Sequence, residues 1–112
     1  MVVLPVINAD FTPYEIGMVG DQREFNCETS GFPQPEVTWS LNNQPVRPDA
    51  TEGIFLRNNG QTLYVNQLTP DWDGNVTCSA INNAGRAHFS GELEIFKIPE
   101  IISGILRGII YH

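Results

Sequence analysis

Two cysteines and one tryptophan constrain the fold of this chain more than any other residues. Cys27 and Cys78 are the only cysteines among the 112 residues, and Trp39 follows the first of them by twelve positions. Phe25 alternates with Cys27, and Val37 with Trp39, with polar or small residues between them. Strict alternation is typical of a half-buried β-strand. The pattern predicts strands that each bury one face.

The series Cys, Trp, Cys resembles the hallmark of immunoglobulin sandwiches. Further stretches resemble the I-set immunoglobulin domains of adhesion receptors, matrix proteins and muscle proteins. They are the B-to-C connection Gly31-Phe-Pro-Gln-Pro-Glu-Val-Thr-Trp39, the strand E and E–F positions Leu63 and Leu68, and the F–G signature Cys78-Ser-Ala-Ile-Asn-Asn-Ala-Gly85. The resemblance covers residues 6–96. It implies an all-β fold, a two-sheet antiparallel Greek-key sandwich of the I-set type.

The resemblance also implies roles for particular residues. Cys27 on strand B and Cys78 on strand F would form a disulfide between the two sheets, and the Trp39 indole would pack against it as the core marker. Two positions depart from the family. Its usual corner tyrosine is Val76 here, and its usual aspartate six residues before the second cysteine is Trp72. We expect the missing tyrosine hydrogen bond to cost about 1 kcal/mol without loss of the fold.

Alternation and turn residues predict the positions of the strands. An edge strand with Pro5 inside it comes first, because proline cannot donate to a strand ladder. Its continuation is expected to switch to the other sheet. A turn is expected at 42–45, at most a short C′ edge at 46–52, and a hairpin at Asn59-Gly60. The predicted strands are 2–7, 15–19, a strand through Phe25 and Cys27, 36–41, 54–56, 63–65, 76–82 and 85–96.

Arg23 belongs to the same inward-facing set as Phe25, where an apolar residue is expected. One interpretation is that its aliphatic stem packs near the end of the sandwich while the guanidinium reaches water. The other is a buried ion pair with Asp71 or Asp73. The sequence leaves both open.

The chain divides into a domain at 1–97 and a tail at 98–112. The tail carries apolar pairs every four residues, a period nearer to a helix than to a strand, but its apolar run is too short to span a bilayer. We interpret it as a linker or added extension, with docking on a neighbouring surface as the alternative. The first residues resemble no signal peptide, so Met1 is interpreted as the start of an excised module.

The net charge and the placement of the basic residues argue against several classes of partner. The formal net charge is −7, and only six lysines and arginines are present. They are scattered along the sequence, which argues against nucleic acid and anionic membranes. A protein or glycan partner is what remains, and a protein partner is expected, a second copy of the chain included, through sheet faces and loops of one domain among several in tandem. The outer face of the sheet that contains strands G, F and C is the surface that such domains often present to partners, and it is expected to carry Ser79, Arg86, His88, Ser90, Glu92 and Glu94.

No residue pattern predicts catalysis, a cofactor or a metal. His88 and His112 have no spacing that suggests a base beside a nucleophile, or two metal ligands. Both cysteines are taken up by the implied disulfide. Asp71 and Asp73 form an isolated Asp-x-Asp, which is more often a solvated turn than a calcium site. The chain is therefore predicted not to be an enzyme.

Asn75-Val76-Thr77 is a sequon for N-glycosylation. It would place a glycan at the start of strand F, on the outer face of its sheet, because Val76 and Cys78 face inward. The alternative is an unmodified asparagine hydrogen-bonded at the corner.

Two functions follow from these features. The leading hypothesis is an extracellular or cell-surface protein-recognition module of an adhesion receptor, guidance receptor or matrix protein, favoured by the paired cysteines and the sequon. The alternative is an intracellular structural and docking domain of a titin-like muscle or cytoskeletal protein, whose thiols would stay reduced in the cytosol.

Overall fold

The computed structural model describes residues 1–97. The prediction made for the tail falls on residues 98–112, which lie outside the described residues, and it stays a prediction.

Nine strands form two sheets in this part of the chain. One sheet has four strands in the order β1-β3-β7-β6, and the other has five in the order β2-β9-β8-β4-β5. A single 3₁₀ turn, Pro70–Trp72, precedes β8. The strands are β1 Val3–Ala9, β2 Tyr14–Met18, β3 Arg23–Phe32, β4 Glu36–Leu41, β5 Gln44–Val46, β6 Ile54–Arg57, β7 Thr62–Val65, β8 Gly74–Asn82 and β9 Gly85–Phe96.

The first strand changes sheet, as the sequence predicts. β1 pairs antiparallel with β3, and its register shifts around Pro5. After Phe11 the chain crosses over, and β2 pairs parallel with β9 in the other sheet. Phe11 was not singled out in the sequence, yet it is buried between the sheets, with its ring 5.4 Å from Phe25 and 5.0 Å from Phe89. β1 also extends two residues beyond its predicted end at Ile7.

The core lies between the two sheets and is formed by the inward-facing residues of both. Aromatic and branched side chains fill it around the two cysteines, which are fully buried. Burial of apolar area on this scale is the main favourable term in folding. The buried cluster consists of Phe11, Phe25, Cys27, Val37, Trp39, Leu63, Val65, Leu68, Trp72, Val76, Cys78 and Leu93.

The predicted turn at 42–45 is shorter than expected. Asn42 and Asn43 both have a positive φ, 51° and 67°, and complete the reversal by themselves. Two successive left-handed residues match the twist of a two-residue hairpin. Gln44 and Pro45 therefore belong to strand β5. The segment 46–52 contributes only Val46 to that strand and one isolated bridge, from Asp49 to Ile54.

The E–F corner, which joins β7 to β8, buries apolar side chains at both positions that depart from the family pattern. Val76 is buried on β8 and fills the inward position of the missing tyrosine. Trp72 is also buried, at the end of the 3₁₀ turn, and closes that end of the sandwich.

Arg23 has a different partner from either one predicted. Its Nη1 donates to Oε1 of Glu15 at 2.7 Å, and its Nη2 donates to the carbonyl of Ile16 at 3.0 Å. The prediction of a pair with Asp71 or Asp73 is wrong. The chain crosses to the other sheet before β2, and this crossing places Glu15 within hydrogen-bond distance of the guanidinium. Both side chains of the pair are 22% exposed, so the guanidinium is held at the sheet edge and does not extend freely into water.

Candidate protein-interaction surface

The outer face of β2 and the last part of β9 carries a row of exposed apolar residues. Gly17 on β2 and Leu93 on β9 are buried, so the residues that alternate with them face outward. We call these outward residues the β2–β9 stripe. It consists of Tyr14, Ile16 and Met18 on β2 and Glu92, Glu94 and Phe96 on β9.

The parallel register aligns the stripe in three pairs. Tyr14 lies beside Glu92, Ile16 beside Glu94, and Met18 beside Phe96. Exposure is 50% for Tyr14, 53% for Ile16, 36% for Met18 and 44% for Phe96. Single exposed apolar residues are ordinary on a protein surface, but contiguous ones mark contact sites.

The polar end of the stripe is organised by one hydrogen bond. The Tyr14 hydroxyl donates to Oε2 of Glu94. This hydrogen bond raises the pKa of Tyr14 above its ordinary value because it stabilises the protonated form. Desolvation and the negative charges of Glu94, Glu92 and Asp73 raise this pKa further.

Side chains cap the free edge of β2. The backbone groups of Tyr14, Ile16 and Met18 point away from β9, and most of them already have partners. Such an edge offers few groups to an added strand. The pairs are Thr12 Oγ1 to the Tyr14 carbonyl at 2.7 Å, Arg23 Nη2 to the Ile16 carbonyl at 3.0 Å, Asp21 N to the Met18 carbonyl at 3.1 Å, and Met18 N to Asp21 Oδ2 at 3.0 Å.

The other residues predicted on this face lie further along β8 and β9. Ser79 is opposite His88, Thr77 is opposite Ser90, and the two hydroxyls of that second pair are 2.8 Å apart. This half of the face carries mostly polar side chains, with Ile81 on β8 as an exposed apolar one, whereas the β2–β9 stripe places four exposed apolar residues side by side.

Cys27 and Cys78 are bonded to each other across the two sheets, with their Cα atoms 6.6 Å apart. Trp39 lies opposite Cys78 in the strand register. Its indole N–H donates to the carbonyl of Gly60 at 2.7 Å, so this buried polar group is satisfied. These three residues form the centre of the core.

Asn75 is exposed on the outer face at the start of β8, opposite Glu92 on β9. Its backbone N–H donates to Oδ1 of Asn42 at 3.0 Å, and its carbonyl accepts from the Asn42 backbone N–H at 2.9 Å. The predicted glycan would therefore border the β2–β9 stripe. Its presence stays a prediction.

The acidic residues of the corner do not converge. Oδ2 of Asp73 accepts a hydrogen bond from the Ile95 N–H at 2.9 Å. Within residues 1–97, no group of three or more His, Cys, Asp or Glu side chains has the arrangement of a metal site. A polar cleft of about 590 Å³ lies on the outer face of the four-stranded sheet, bordered by Asp10, Asn26 and Gln61. Nor is there, in this part of the chain, a helix that could cross a bilayer.

Two asparagines hold the loops in place and were missed in the sequence. Nδ2 of Asn82 donates to the carbonyls of Val3 and Pro33, at 2.7 and 3.0 Å, while its Oδ1 accepts from the N–H groups of Ala84 and Gly85. Asn42 joins the β4–β5 hairpin to the E–F corner through Asn75 and the Asp73 carbonyl. Asn82 belongs to the F–G signature and Asn42 to the predicted turn, but asparagine is also common in loops without such contacts, so the sequence did not predict these hydrogen bonds.

A sandwich with a buried cysteine pair, a tryptophan packed between its sheets and a first strand divided between both sheets defines the class of immunoglobulin-like modules. The chain belongs to the immunoglobulin I-set family, whose model matches residues 7–95. Folds of this class serve as binding and structural modules.

Curated relatives agree with this assignment. The chain is 42% identical to mouse myopalladin over 94 residues, and 33% identical to human palladin over 99 residues. These matches cover 74% and 81% of the chain but only 7% of the length of each relative.

Solved structures confirm the fold. A titin M10–obscurin-like 1 Ig complex matches 88% of this chain and 99% of its own chain, with a TM-score of 0.75 at 22% identity. The titin I-band fragment I67–I69 matches 83% of this chain and 32% of its own, with a TM-score of 0.68 at 29% identity.

Proposed function

We propose that this domain is a structural and docking module of an intracellular, multidomain protein of the muscle or cytoskeletal kind, and that it has no catalytic role. The observation that carries the proposal is the 42% identity to myopalladin, together with the likeness to a titin I-band fragment. Both relationships extend over most of the domain, and the matched segment is a small part of the relative in the case of myopalladin.

The surface supports a docking role. The β2–β9 stripe exposes three apolar side chains in one row on β2, and Phe96 adds an aromatic ring to it. Aromatic residues and methionine are enriched at the centres of protein interfaces. A row of side chains exposed on the outer face of a sheet suits contact with another protein better than enclosure of a small substrate.

The order of the two hypotheses is therefore the reverse of the one that the sequence motifs favour. Paired cysteines and a sequon occur in secreted proteins, but neither feature excludes the cytosol. The cysteines lie at the centre of an apolar core, where two thiols, if reduced, would pack as small apolar side chains.

An extracellular recognition module remains the second candidate, and two observations favour it. Cys27 and Cys78 are bonded in the structure, and Asn75 of the sequon is exposed. Disulfides persist in secreted proteins and are rare in the cytosol.

Thiol counting distinguishes the two. The full chain is equilibrated at a cytosol-like glutathione potential and alkylated, and the modified cysteines are counted by intact mass while circular dichroism monitors the fold. Two alkylated cysteines in a folded domain are the expected result. A disulfide that survives this buffer supports the extracellular candidate instead, because structural disulfides of secreted proteins resist the glutathione pool.

A further inference from the structure

We propose that the β2–β9 stripe is the docking site itself, and that its partner is a protein segment with apolar side chains flanked by lysine or arginine, held by side-chain contacts without strand addition. The inference rests on the docking function proposed above. It goes further in specifying the face, the chemistry of the partner and the mode of contact.

The apolar half of the site comes from β2. Tyr14, Ile16 and Met18 are spaced two residues apart on a strand, so their side chains stand side by side on one face. Phe96 extends this surface beside Met18. Removing such a row from water on binding is favourable in proportion to its apolar area.

The charged half comes from β9. Glu92 and Glu94 lie directly beside Tyr14 and Ile16, and Oδ2 of Asp73 accepts a hydrogen bond from the backbone of Ile95, next to Glu94. In the described part of the chain, the one salt bridge joins Arg23 to Glu15. Glu92 and Glu94 therefore have no cationic partner among residues 1–97, and a basic segment would complement them.

The capped edge of β2 decides the mode of contact. An added strand would need the carbonyls of Tyr14, Ile16 and Met18, but Thr12, Arg23 and Asp21 already donate to them. Addition of a strand would have to displace these hydrogen bonds, including the one that Arg23 Nη2 donates to the Ile16 carbonyl while its Nη1 holds Glu15. Contact through the outer face breaks none of them.

Peptide selection tests the proposal. The full chain is immobilised and panned against a phage-displayed library of random twelve-residue peptides, and the selected peptides are synthesised for titration by fluorescence anisotropy. We expect enrichment of peptides that combine apolar residues with lysine or arginine. Their affinity should fall as salt is raised, because the ionic part of the contact is exposed to screening.

Three variants locate the site. Ile16→Ser should raise the Kd at least tenfold, while Glu94→Gln should raise it about threefold and weaken its salt dependence. Glutamine keeps an acceptor for the Tyr14 hydroxyl, so the second change isolates charge. Phe55→Ser is the matched control, because Phe55 is an exposed apolar residue on the other sheet, and this change should leave the Kd unaltered.

Hydrogen exchange tests the mode of contact. An added strand would protect the amides of Tyr14 and Ile16 on the free edge, whereas side-chain docking leaves their exchange rates unchanged. Protection of these amides by a bound peptide would overturn the proposed mode.

Other outcomes would contradict the proposed site or the proposed chemistry of its partner. The proposal fails if no peptide is enriched, if the enriched peptides lack basic residues, or if binding survives Ile16→Ser. A mass that rises with concentration and returns to monomer in Ile16→Ser would identify a second copy as the occupant. Peptide binding that is lost in Phe55→Ser would move the docking site to the other sheet and leave the docking function intact.

Discussion

At the scale of single residues, Asn82 makes more loop contacts than any side chain singled out in the sequence. Its four hydrogen bonds join the start of β1, the β3–β4 loop and the β8–β9 turn. We expect Asn82→Ala to lower the free energy of unfolding by about 2 to 3 kcal/mol, since each net hydrogen bond contributes about 1 kcal/mol and some of the freed groups will find water.

Urea unfolding measures this change, and Asn83→Ala is the control at an exposed neighbouring position. Equal stabilities of the two variants would show that the Asn82 contacts contribute nothing measurable.

Tyr14 gives the domain a predictable response to alkaline pH. Its folded pKa is raised above the ordinary value of 10.0, so the stabilisation linked to it is present below that value and is lost as the pH rises through the folded pKa. We expect the difference in unfolding free energy between the wild type and Tyr14→Phe to shrink above pH 10. Urea unfolding at pH 7, 9 and 11 measures it.

A second variant identifies the cause of the shift. Glu94→Gln removes the charge that contributes to the raised pKa of Tyr14, so absorbance at 295 nm should show this tyrosine ionising at a lower pH than in the wild type. An unchanged titration would contradict the role of Glu94.

The sequence could predict that Cys27, Trp39 and the residues alternating with them face the core, because alternation and spacing are properties of one strand at a time. It could not predict that Arg23 pairs with Glu15, eight residues away on a strand in the other sheet. That contact depends on how the chain crosses between sheets, and no local pattern encodes the crossing angle.

At the scale of elements, the start of β8 depends on Gly74. Its φ is +138°, and a Cβ at this position would overlap the Asn42 side chain that joins the β4–β5 hairpin to the corner. We expect Gly74→Ala to cost about 3 kcal/mol, from backbone strain and from the hydrogen bonds that Asn42 would lose.

Gly20→Ala is the matched control. Gly20 also has a positive φ, +97°, but a Cβ there meets open space, so only strain of about 1 kcal/mol is expected. Thermal unfolding of both variants compares the two costs, and similar values would show that contact with Asn42 is unimportant.

Strand positions were mostly predictable and hairpin lengths less so. β4 coincides with its predicted bounds, and β9 begins and ends where expected. β5 begins earlier than predicted because Asn42 and Asn43 both take the left-handed conformation, which completes the turn in two residues. Asparagine permits this conformation without requiring it, so a four-residue turn was equally consistent with the sequence.

At the scale of the whole molecule, the disulfide is one contribution to a core that other residues largely fill. Closing a loop of about fifty residues is worth roughly 4 kcal/mol in the chain-entropy model. We expect the double variant Cys27→Ala, Cys78→Ala to remain folded at 25 °C, with a free energy of unfolding lower by about 3 to 5 kcal/mol. Chemical denaturation with circular dichroism measures this.

The same double variant also tests the proposed intracellular location of the domain. A protein that unfolds completely without the disulfide would be unsuited to a reducing compartment, and this result would count against the intracellular proposal.

The protein class was predictable from the sequence, and the choice between compartments was not. Core and turn residues determine the fold, and the same core and turn residues can build an immunoglobulin sandwich in the cytosol or outside the cell. The β2–β9 stripe, too, could be predicted only in part from the sequence. Glu92 and Glu94 were expected on an outer face, but the apolar row of β2 beside them required the parallel pairing to be known.

The capped edge of β2 has a consequence for assembly inside a longer chain. Neighbouring modules joined by short linkers meet one another at effective concentrations in the millimolar range, high enough for exposed strand edges to recruit each other into swapped or fibrillar forms. Thr12, Asp21 and Arg23 occupy the three outward carbonyls of this edge, on which such misassembly would depend. This strand can thus sit at the border of its sheet in a crowded array without templating the next domain.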